Sequence, residues 1–166
     1  MKKEIKLCLV YRDMWHSSGK YMPRVDQLVR VARPIIDMGC FSRVETNGGG
    51  FEQICLLYGE NPNTAVREWT QPFNDVGIQT QMLERGLNGI RMSPVGADVR
   101  QLMFKVKKKQ GTDIARSFDG LNNPQNLALS FQYAREGGMV AQAALSITHS
   151  PLHTVDYYIK LAVQYI

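Results

Sequence analysis

Short apolar runs alternate with amphipathic stretches along the chain, and polar or glycine-rich residues separate them. Each run has the length of a buried strand, and each amphipathic stretch has the apolar spacing of a helix. Because strands and helices alternate, we expect parallel strands joined by right-handed crossovers, hence an α/β sheet or part of a barrel. The predicted strands are Ile5–Tyr11, Phe41–Glu45, Ile78–Glu84, Thr112–Phe118 and Met139–Thr148.

The helical stretches are recognised by apolar residues that recur every three or four positions. A helix is predicted from about Arg24 to Met38, with a kink at Pro34. Two further stripes each predict one buried helix face. They are Val95, Val99, Leu102, Met103 and Val106, and then Val155, Tyr158, Ile159, Ala162, Val163 and Ile166.

Glycine and proline mark the predicted ends of these elements. A glycine stands between a helix and the next strand in four places, where a left-handed residue ends a helix. Asn123-Pro124 and Ser150-Pro151 are each predicted to be an N-cap followed by a proline at the first helical position. The four glycines are Gly39, Gly77, Gly111 and Gly138.

Length and composition indicate one folded domain over residues 1–166, without room for a complete eight-stranded barrel of ~250 residues. No apolar stretch approaches the ~18 residues that span a bilayer, so we expect no direct membrane contact. Three cysteines form no Cys-x-x-Cys pair, which indicates a reducing, cytoplasmic setting. Of these, Cys40 and Cys55 are expected to be buried, inert thiols.

The net charge of +5 favours acidic small molecules slightly, and we expect no nucleic-acid partner. The one dense run of positive charge is predicted to close a helix, where cations complement the helix dipole. It comprises Lys105, Lys107, Lys108 and Lys109.

Polar residues follow every predicted strand, and in parallel α/β folds these strand ends meet on one rim. The types found there suit a metal ion and an anionic, oxygen-rich substrate held by arginine, although solvated loops would also be polar. The groups are Arg12-Asp13 with His16 and Ser17, Glu45 with Asn47, Glu84-Arg85 with Asn88, Asp119 with Asn122, and Thr148-His149.

Two local motifs have a structural and a functional interpretation. Gly48-Gly49-Gly50 could cradle a phosphate, but no Lys-Ser/Thr follows, which favours a tight loop between strand and helix. His149 and His153 have the spacing of a helical metal pair, but Pro151 between them favours a loop-to-helix junction.

Five polar segments resemble, in order and spacing, the carboxyltransferase barrel of biotin-dependent enzymes such as pyruvate carboxylase, the oxaloacetate decarboxylase α subunit and transcarboxylase. The resemblance implies a partial TIM-type (β/α) barrel, about five parallel strands each followed by a helix. These would be the N-terminal five of the family's eight βα units. The segments are Tyr11–Ser18, Arg43–Gly49, Leu83–Asn88, Arg116–Asn122 and Ser150–Thr154.

The resemblance also implies roles for three residues at the first two strand ends. Asp13 matches the family's aspartate that ligates a divalent metal, which is zinc, manganese or cobalt. Arg12 would be a catalytic residue that Glu45 orients, and Glu45 would help to form the substrate site. The family's other metal ligands, a carbamylated lysine and a His-x-His pair, belong to units beyond the five matched here.

Arg85 matches the family's arginine that binds the substrate carboxylate, with Asn88 close by. His16 stands where the family has a substrate-binding glutamine, and Trp15 stands at the family's histidine. His16 can donate a hydrogen bond to substrate, but its charge depends on pH. Met92 falls where pyruvate carboxylases often have a tyrosine, so the substrate contacts differ in detail.

The implied activity is transfer of CO2 between carboxybiotin and pyruvate or oxaloacetate through a metal-stabilised enolate. Biotin would arrive on a carrier domain in trans, and we expect a homo-oligomer. Because the family's metal site needs further ligands, the isolated chain is expected to be inactive. One alternative is a catalytically silent half-barrel or assembly module. Another is a related metal-dependent keto-acid lyase or synthase.

Overall fold

The computed structural model describes residues 5–14 and 23–166. Its sheet has five parallel strands that lie side by side in chain order. This arrangement confirms the predicted fold class. The strands are Leu7–Val10 (β1), Phe41–Gly48 (β2), Gln79–Glu84 (β3), Ile114–Phe118 (β4) and Val140–Ala144 (β5).

A helical segment follows each strand, and two helices follow β2. A short 3₁₀ turn, Gly86–Asn88, comes directly after β3. The first helix continues through Pro34, so the proline does not end it. The helices are Val25–Asp37 (α1), Gly49–Leu57 (α2), Pro62–Asn74 (α3), Ala97–Lys109 (α4), Pro124–Glu136 (α5) and Val155–Gln164 (α6).

The glycines that separate helices from strands have the conformation expected of them. Gly39, Gly77, Gly111 and Gly138 have φ angles of 63°, 77°, 98° and 80°. Only glycine adopts this left-handed region without strain from a Cβ atom. The helix-to-strand boundaries were therefore well predicted from these positions.

One helix start was predicted correctly and one was wrong. The Asn123 side chain accepts a hydrogen bond from the backbone N–H of Gln125, which caps α5 as expected. The last helix, however, begins at Val155 and is capped by Thr154 rather than Ser150. The Ser150 hydroxyl is instead engaged within its own turn, where it accepts a bond from the backbone of Leu152.

The Gly48-Gly49-Gly50 segment is not the tight loop that was predicted. Gly48 ends β2, and Gly49 and Gly50 form the first turn of α2 without an intervening loop. The backbone of Ile90 lies so close to Gly49 that a Cβ atom there would collide with the carbonyl group. The glycines thus serve close backbone packing.

One face of the sheet packs against the helices through two apolar clusters. In the first, Val44 of β2 packs with residues of α1, α2 and α3, including Trp69. In the second, Met82 and Ala115 pack against Phe104 of α4 and residues of α5. This outer face is a conventional apolar core that fixes the strands beneath the site.

The predicted buried stripe of α4 was wrong in its phase. The side chains of Val99, Leu102 and Val106 are exposed, whereas Arg100, Phe104 and Lys107 are buried. Both buried cations are paired with carboxylates, Arg100 with Glu84 and Lys107 with Glu52. Because these pairs allow charged residues inside, hydrophobicity alone selects the wrong face.

The lysine run at the end of α4 was only partly predicted. Lys107, Lys108 and Lys109 do lie in the last turn, where cations favour the helix end. Lys107 nevertheless points inward rather than into solvent, and burial lowers its pKa to about 7. The adjacent carboxylate of Glu52 acts in the opposite direction, since it favours the charged ammonium.

Two smaller predictions were also overturned. In α6 the stripe residues Val155, Ile159 and Val163 are exposed, and Leu161 is the buried residue. Cys40 is exposed rather than buried. Cys55 is buried as predicted, and burial raises the pKa of its thiol to about 12, which keeps it protonated and unreactive.

Candidate active site

The sheet face opposite the helices, which we call the inner face, is lined with polar side chains. Glu45 on β2 is in register with Gln81 on β3, and Arg116 on β4 is in register with Gln142 on β5. Neighbouring residues of a parallel sheet in register point to the same side. Four strands therefore contribute one hydrogen-bonded row across this face.

Glu45 is the centre of that row, and it is almost completely buried at 1% exposure. Its Oε1 atom accepts a hydrogen bond from Arg12 Nε at 2.8 Å. Its Oε2 atom accepts one from Gln81 Nε2 at 2.8 Å and contacts Arg116 NH1 at 3.1 Å. One buried carboxylate thus holds two guanidinium groups, and both of its oxygens are satisfied.

Arg12 and Asp13 lie where β1 ends. The backbone N–H of Arg12 donates to the carbonyl of Glu45 at 2.9 Å, which continues the pairing of β1 with β2. Arg12 NH2 also lies 3.1 Å from Asp13 Oδ1. Asp13 is 61% exposed, so its carboxylate is accessible while Arg12 is held below it.

The side chain of Arg12 lies across the end of β2. A Cβ atom on Gly48 would come within 2.9 Å of both Arg12 Cδ and the carbonyl oxygen of Leu83. Glycine is therefore needed for Arg12 to pass between the ends of β2 and β3. This places the Arg12 guanidinium on the same rim from which Arg85 starts.

A pocket of about 420 Å³ opens at the carboxyl ends of β3 and β4. Arg85 NH1 lies 3.1 Å from the sulfur of Met92, and Asn88 Nδ2 donates to the Met92 carbonyl at 3.2 Å. Met92 thus ties together the loop that carries both polar groups. This rim pocket is lined by Arg85, Leu87, Asn88, Phe118, Asp119 and Gly120.

Asp119 shapes the loop on one side of the rim pocket. Its carboxylate accepts hydrogen bonds from the backbone of Leu121 and Asn123 and from the Asn126 side chain. Partial burial raises the pKa of Asp119, but these bonds outweigh that effect and lower it below its ordinary value. Asp119 is therefore an anion that orders the turn before α5.

Several predicted strand-end residues turn away from the site. Glu84 points to the outer face, where Ser130 donates to it at 2.9 Å and burial raises its pKa. Asn47 is buried and donates to Thr112. The Asn122 side chain instead joins two loops, since it binds both the backbone N–H and the carbonyl of Ser146.

Histidines contribute little to the described part of the site. His16 lies outside the described residues, as does Trp15. His149 is exposed, and the Nδ1 atom of His153 lies 2.6 Å from the Ser150 hydroxyl. Since residues 149–153 are not helical, the arrangement is the loop-to-helix junction favoured by the sequence.

The structure therefore groups the predicted residues in two places, Arg12, Asp13 and Glu45 at the ends of β1 and β2, and Arg85 and Asn88 in the rim pocket. Sequence reasoning did not select the rest of the inner-face row as site residues. A usable signal existed, because polar residues at alternate positions of a strand share one face. The residues missed in this way are Gln81, Arg116 and Gln142.

A larger cavity of about 600 Å³ lies between α2 and α4, away from the inner face. Its walls are mostly apolar, and its acidic residue Glu52 is paired with Lys107. Arg100, which also lines it, is paired with Glu84. The rim pocket is the better candidate for an anionic substrate, because its polar groups face the strand ends.

Of the two predicted site carboxylates that the structure describes, Asp13 is exposed and Glu45 is buried. Residues 5–14 and 23–166 contain no group of three or more histidine, cysteine, aspartate or glutamate side chains that could hold a metal. A catalytic metal requires about three protein ligands. The described residues alone therefore do not fit a metal ion. Within these same ranges, no helix is both long and apolar enough to cross a bilayer.

No family model matches the chain. It is 29% identical over 153 residues to a pyruvate carboxylase subunit of Methanocaldococcus jannaschii, covering 92% of this chain and 26% of that protein. It is 30% identical over 157 residues to the methylmalonyl-CoA carboxyltransferase 5S subunit of Propionibacterium freudenreichii subsp. shermanii, covering 94% and 30% respectively. The chain thus spans less than a third of these curated relatives.

The fold matches a solved carboxyl transferase domain from Rhizobium etli pyruvate carboxylase, determined with pyruvate and biocytin. The TM-score is 0.87 at 24% sequence identity, covering 98% of this chain and 28% of that one. At this identity the likeness is evidence for the fold. It confirms the partial barrel inferred from the strand order.

Proposed function

The chain belongs to the carboxyltransferase family of biotin-dependent enzymes, and on this premise we propose that it contributes the keto-acid site of such an enzyme. The reaction proposed is transfer of CO2 between carboxybiotin and pyruvate or oxaloacetate. One observation carries the proposal: the buried Arg12–Glu45 ion pair lies on the same rim of the sheet as the pocket that Arg85 lines.

Arg85 is proposed to bind the carboxylate of the keto acid. Arg85 lines the rim pocket, and a planar guanidinium matches a carboxylate through two parallel hydrogen bonds. The contact with the Met92 sulfur is a weak hydrogen bond, which a substrate carboxylate can replace at little cost. Asn88 would add a neutral donor beside it.

Arg12 is proposed to stabilise the negative charge that develops on the keto oxygen when CO2 is lost or gained. Because the Glu45 carboxylate holds the guanidinium and the Glu45 carbonyl holds the Arg12 backbone, little reorganisation is needed during the reaction. His16, which lies outside the described residues, is proposed as a further substrate-facing donor.

Asp13 is the one described residue that we propose as a ligand of a divalent metal. The carboxylate would supply one oxygen ligand, and the other ligands would have to come from outside residues 5–14 and 23–166. Zinc, manganese or cobalt would supply Lewis acidity toward the enolate. No step of the proposed reaction is routed through the metal, since the described residues do not form its site.

Biotin is proposed to arrive on a separate carrier domain, so that the rim serves both the carrier and the small keto acid. The partners proposed are therefore pyruvate or oxaloacetate, a biotin carrier and further copies of the chain. We also propose a cytoplasmic setting, because the three cysteines form no Cys-x-x-Cys pair.

The proposal is tested by joining this chain to the remaining barrel units of a relative and following pyruvate formation from oxaloacetate with free biotin and Mn²⁺. We expect biotin-dependent decarboxylation that Arg85→Gln reduces at least ~100-fold, because the substrate carboxylate loses its charged partner. The control is Arg91→Gln, a neighbouring arginine outside the rim pocket. Equal rates for the completed enzyme with and without Arg85→Gln would contradict the proposal.

The second candidate function is a catalytically silent half-barrel that serves as an assembly module. It is favoured by the finding that the described residues hold no cluster of three metal donors. This alternative predicts no decarboxylation above the buffer rate and no tight Mn²⁺ binding. Decarboxylation together with tight metal binding would exclude it.

A further inference from the structure

We propose that Arg116 is a positioning residue of the candidate site, which fixes the Glu45 carboxylate and through it the aim of Arg12. The inference rests on the proposed function, because it assigns Arg12 a role toward substrate. Arg116 lies on β4, two strands away from Glu45, and its side chain is 26% exposed.

Glu45 shares its two carboxylate oxygens between side chains from different strands. A carboxylate held at one oxygen can still rotate about its side-chain bonds. Here Arg12 holds Oε1, while Arg116 and Gln81 hold Oε2 from the other side. The carboxylate plane is thereby fixed, and so is the direction in which Arg12 Nε donates.

Arg116 is itself fixed, which a positioning residue must be. Its Nε atom donates to Gln142 Oε1 on β5 at 3.0 Å, while NH1 contacts Glu45. From its place on β4, the Arg116 guanidinium thus links Glu45 on β2 with Gln142 on β5. A lysine, with a single point of charge, could not hold both partners in this geometry.

Charge supports the same conclusion. The guanidinium groups of Arg12 and Arg116 balance the carboxylates of Glu45 and Asp13, so this cluster carries no net charge. Without Arg116 the cluster would carry one net negative charge, which disfavours an anion nearby. Removing Arg116 should therefore loosen Arg12 and also weaken anion binding on the rim.

The experiment compares Arg116→Met, Arg116→Lys and a control, Arg33→Met, in the full chain. Arg33 is exposed and pairs with Asp37 on the same helix, α1. Two quantities are measured, the solvent exchange of the Arg12 Nε–H by NMR and the affinity for oxalate by calorimetry. The Arg12 signal is assigned by its loss in Arg12→Lys.

We expect Arg116→Met to accelerate Arg12 Nε–H exchange at least ~5-fold and to weaken oxalate binding about 10-fold. Arg116→Lys should recover part of the affinity, since it keeps the charge, but exchange should stay fast. If Arg116 had a purely structural role, both variants would lower the Tm, and Arg116→Lys would not recover oxalate affinity while Arg12 exchange stays fast.

The inference is overturned when Arg116→Met leaves both the Arg12 exchange rate and the oxalate affinity equal to those of Arg33→Met. Should the unaltered chain bind no oxalate, the proposed function fails on its own. The exchange rate of the Arg12 Nε–H still decides the positioning role in that case. If Arg116→Met folds poorly, Arg116→Lys is measured in its place. An Arg12 Nε–H exchange rate in Arg116→Lys equal to that of the unaltered chain then counts against the inference.

Discussion

A single buried carboxylate organises the charged residues at the candidate site. Glu45 holds Arg12 on one oxygen and Arg116 on the other, so both carboxylate oxygens have a partner within the protein. Such a network is rigid because removing any member leaves a buried charge without its partner. Rigidity at this point is what the proposed stabilisation of an oxyanion requires.

Substitution at Gly48 tests the path of Arg12 at the residue scale. Gly48→Ala places a Cβ atom within 2.9 Å of Arg12 Cδ and of the Leu83 carbonyl. We expect a loss of about 1–3 kcal/mol in unfolding free energy, because backbone and guanidinium must both shift. Gly120→Ala is the control, since no atom lies within 4 Å of its Cβ position. Equal stability of the two variants in urea would contradict this path.

Lys107 predicts a pH dependence of stability. Burial lowers its pKa to about 7 in the folded chain, whereas the unfolded chain keeps the ordinary value of 10.5. Between these values the unfolded chain binds more protons, so stability should rise with pH, by at most about 1.4 kcal/mol per pH unit. Glu52 reduces this slope, because it favours the ammonium form.

The measurement for Lys107 is urea unfolding at pH 7 and at pH 10. Lys107→Met should flatten the rise in stability between the two, while the exposed Lys105→Met should leave it unchanged. Identical pH slopes in the two variants would show that Lys107 keeps its proton when folded.

At the scale of elements, the helices show which parts of the fold can be predicted from sequence. Glycine positions predicted the helix ends because the left-handed conformation is a local property. The phase of α4 could not be predicted, because its burial depends on Glu52 and Glu84, which come from other elements. The same holds for Arg116, whose partners lie on two other strands.

The corrected phase of α4 makes a direct prediction about two apolar residues. Phe104→Ala should cost about 3–5 kcal/mol, because a fully buried ring in the second core cluster is lost. Leu102→Ala should change stability by about 0.5 kcal/mol or less, since Leu102 is exposed. The measurement is thermal and urea unfolding of both variants. If the stripe predicted from the sequence were buried instead, Leu102→Ala would lose more stability than Phe104→Ala.

At the scale of the whole molecule, the described sheet is open. Within the described ranges, β1 and β5 each pair with one strand only. Edge strands expose unpaired backbone groups, and Leu7, Val10 and Val140 on these strands are exposed apolar residues. The chain as a whole covers 28% of the carboxyl transferase domain that it matches.

We therefore expect the purified chain to self-associate through its sheet edges. Sedimentation velocity over a range of concentrations should show dimers or larger species, and Val10→Lys with Val140→Lys should shift the distribution toward monomer. A strictly monomeric chain at high concentration would be inconsistent with edge pairing. An unchanged distribution in the double variant would place the contact elsewhere.

We propose that the inner face and the rim pocket together bind a keto acid through Arg85. Calorimetric titration with oxalate, an enolate mimic, tests this most directly when done with and without Mn²⁺ on the chain, Arg85→Gln and Arg91→Gln. We expect oxalate binding that Arg85→Gln weakens at least ~10-fold and Arg91→Gln leaves unchanged. Absence of oxalate binding, or equal affinity in Arg85→Gln, would contradict it.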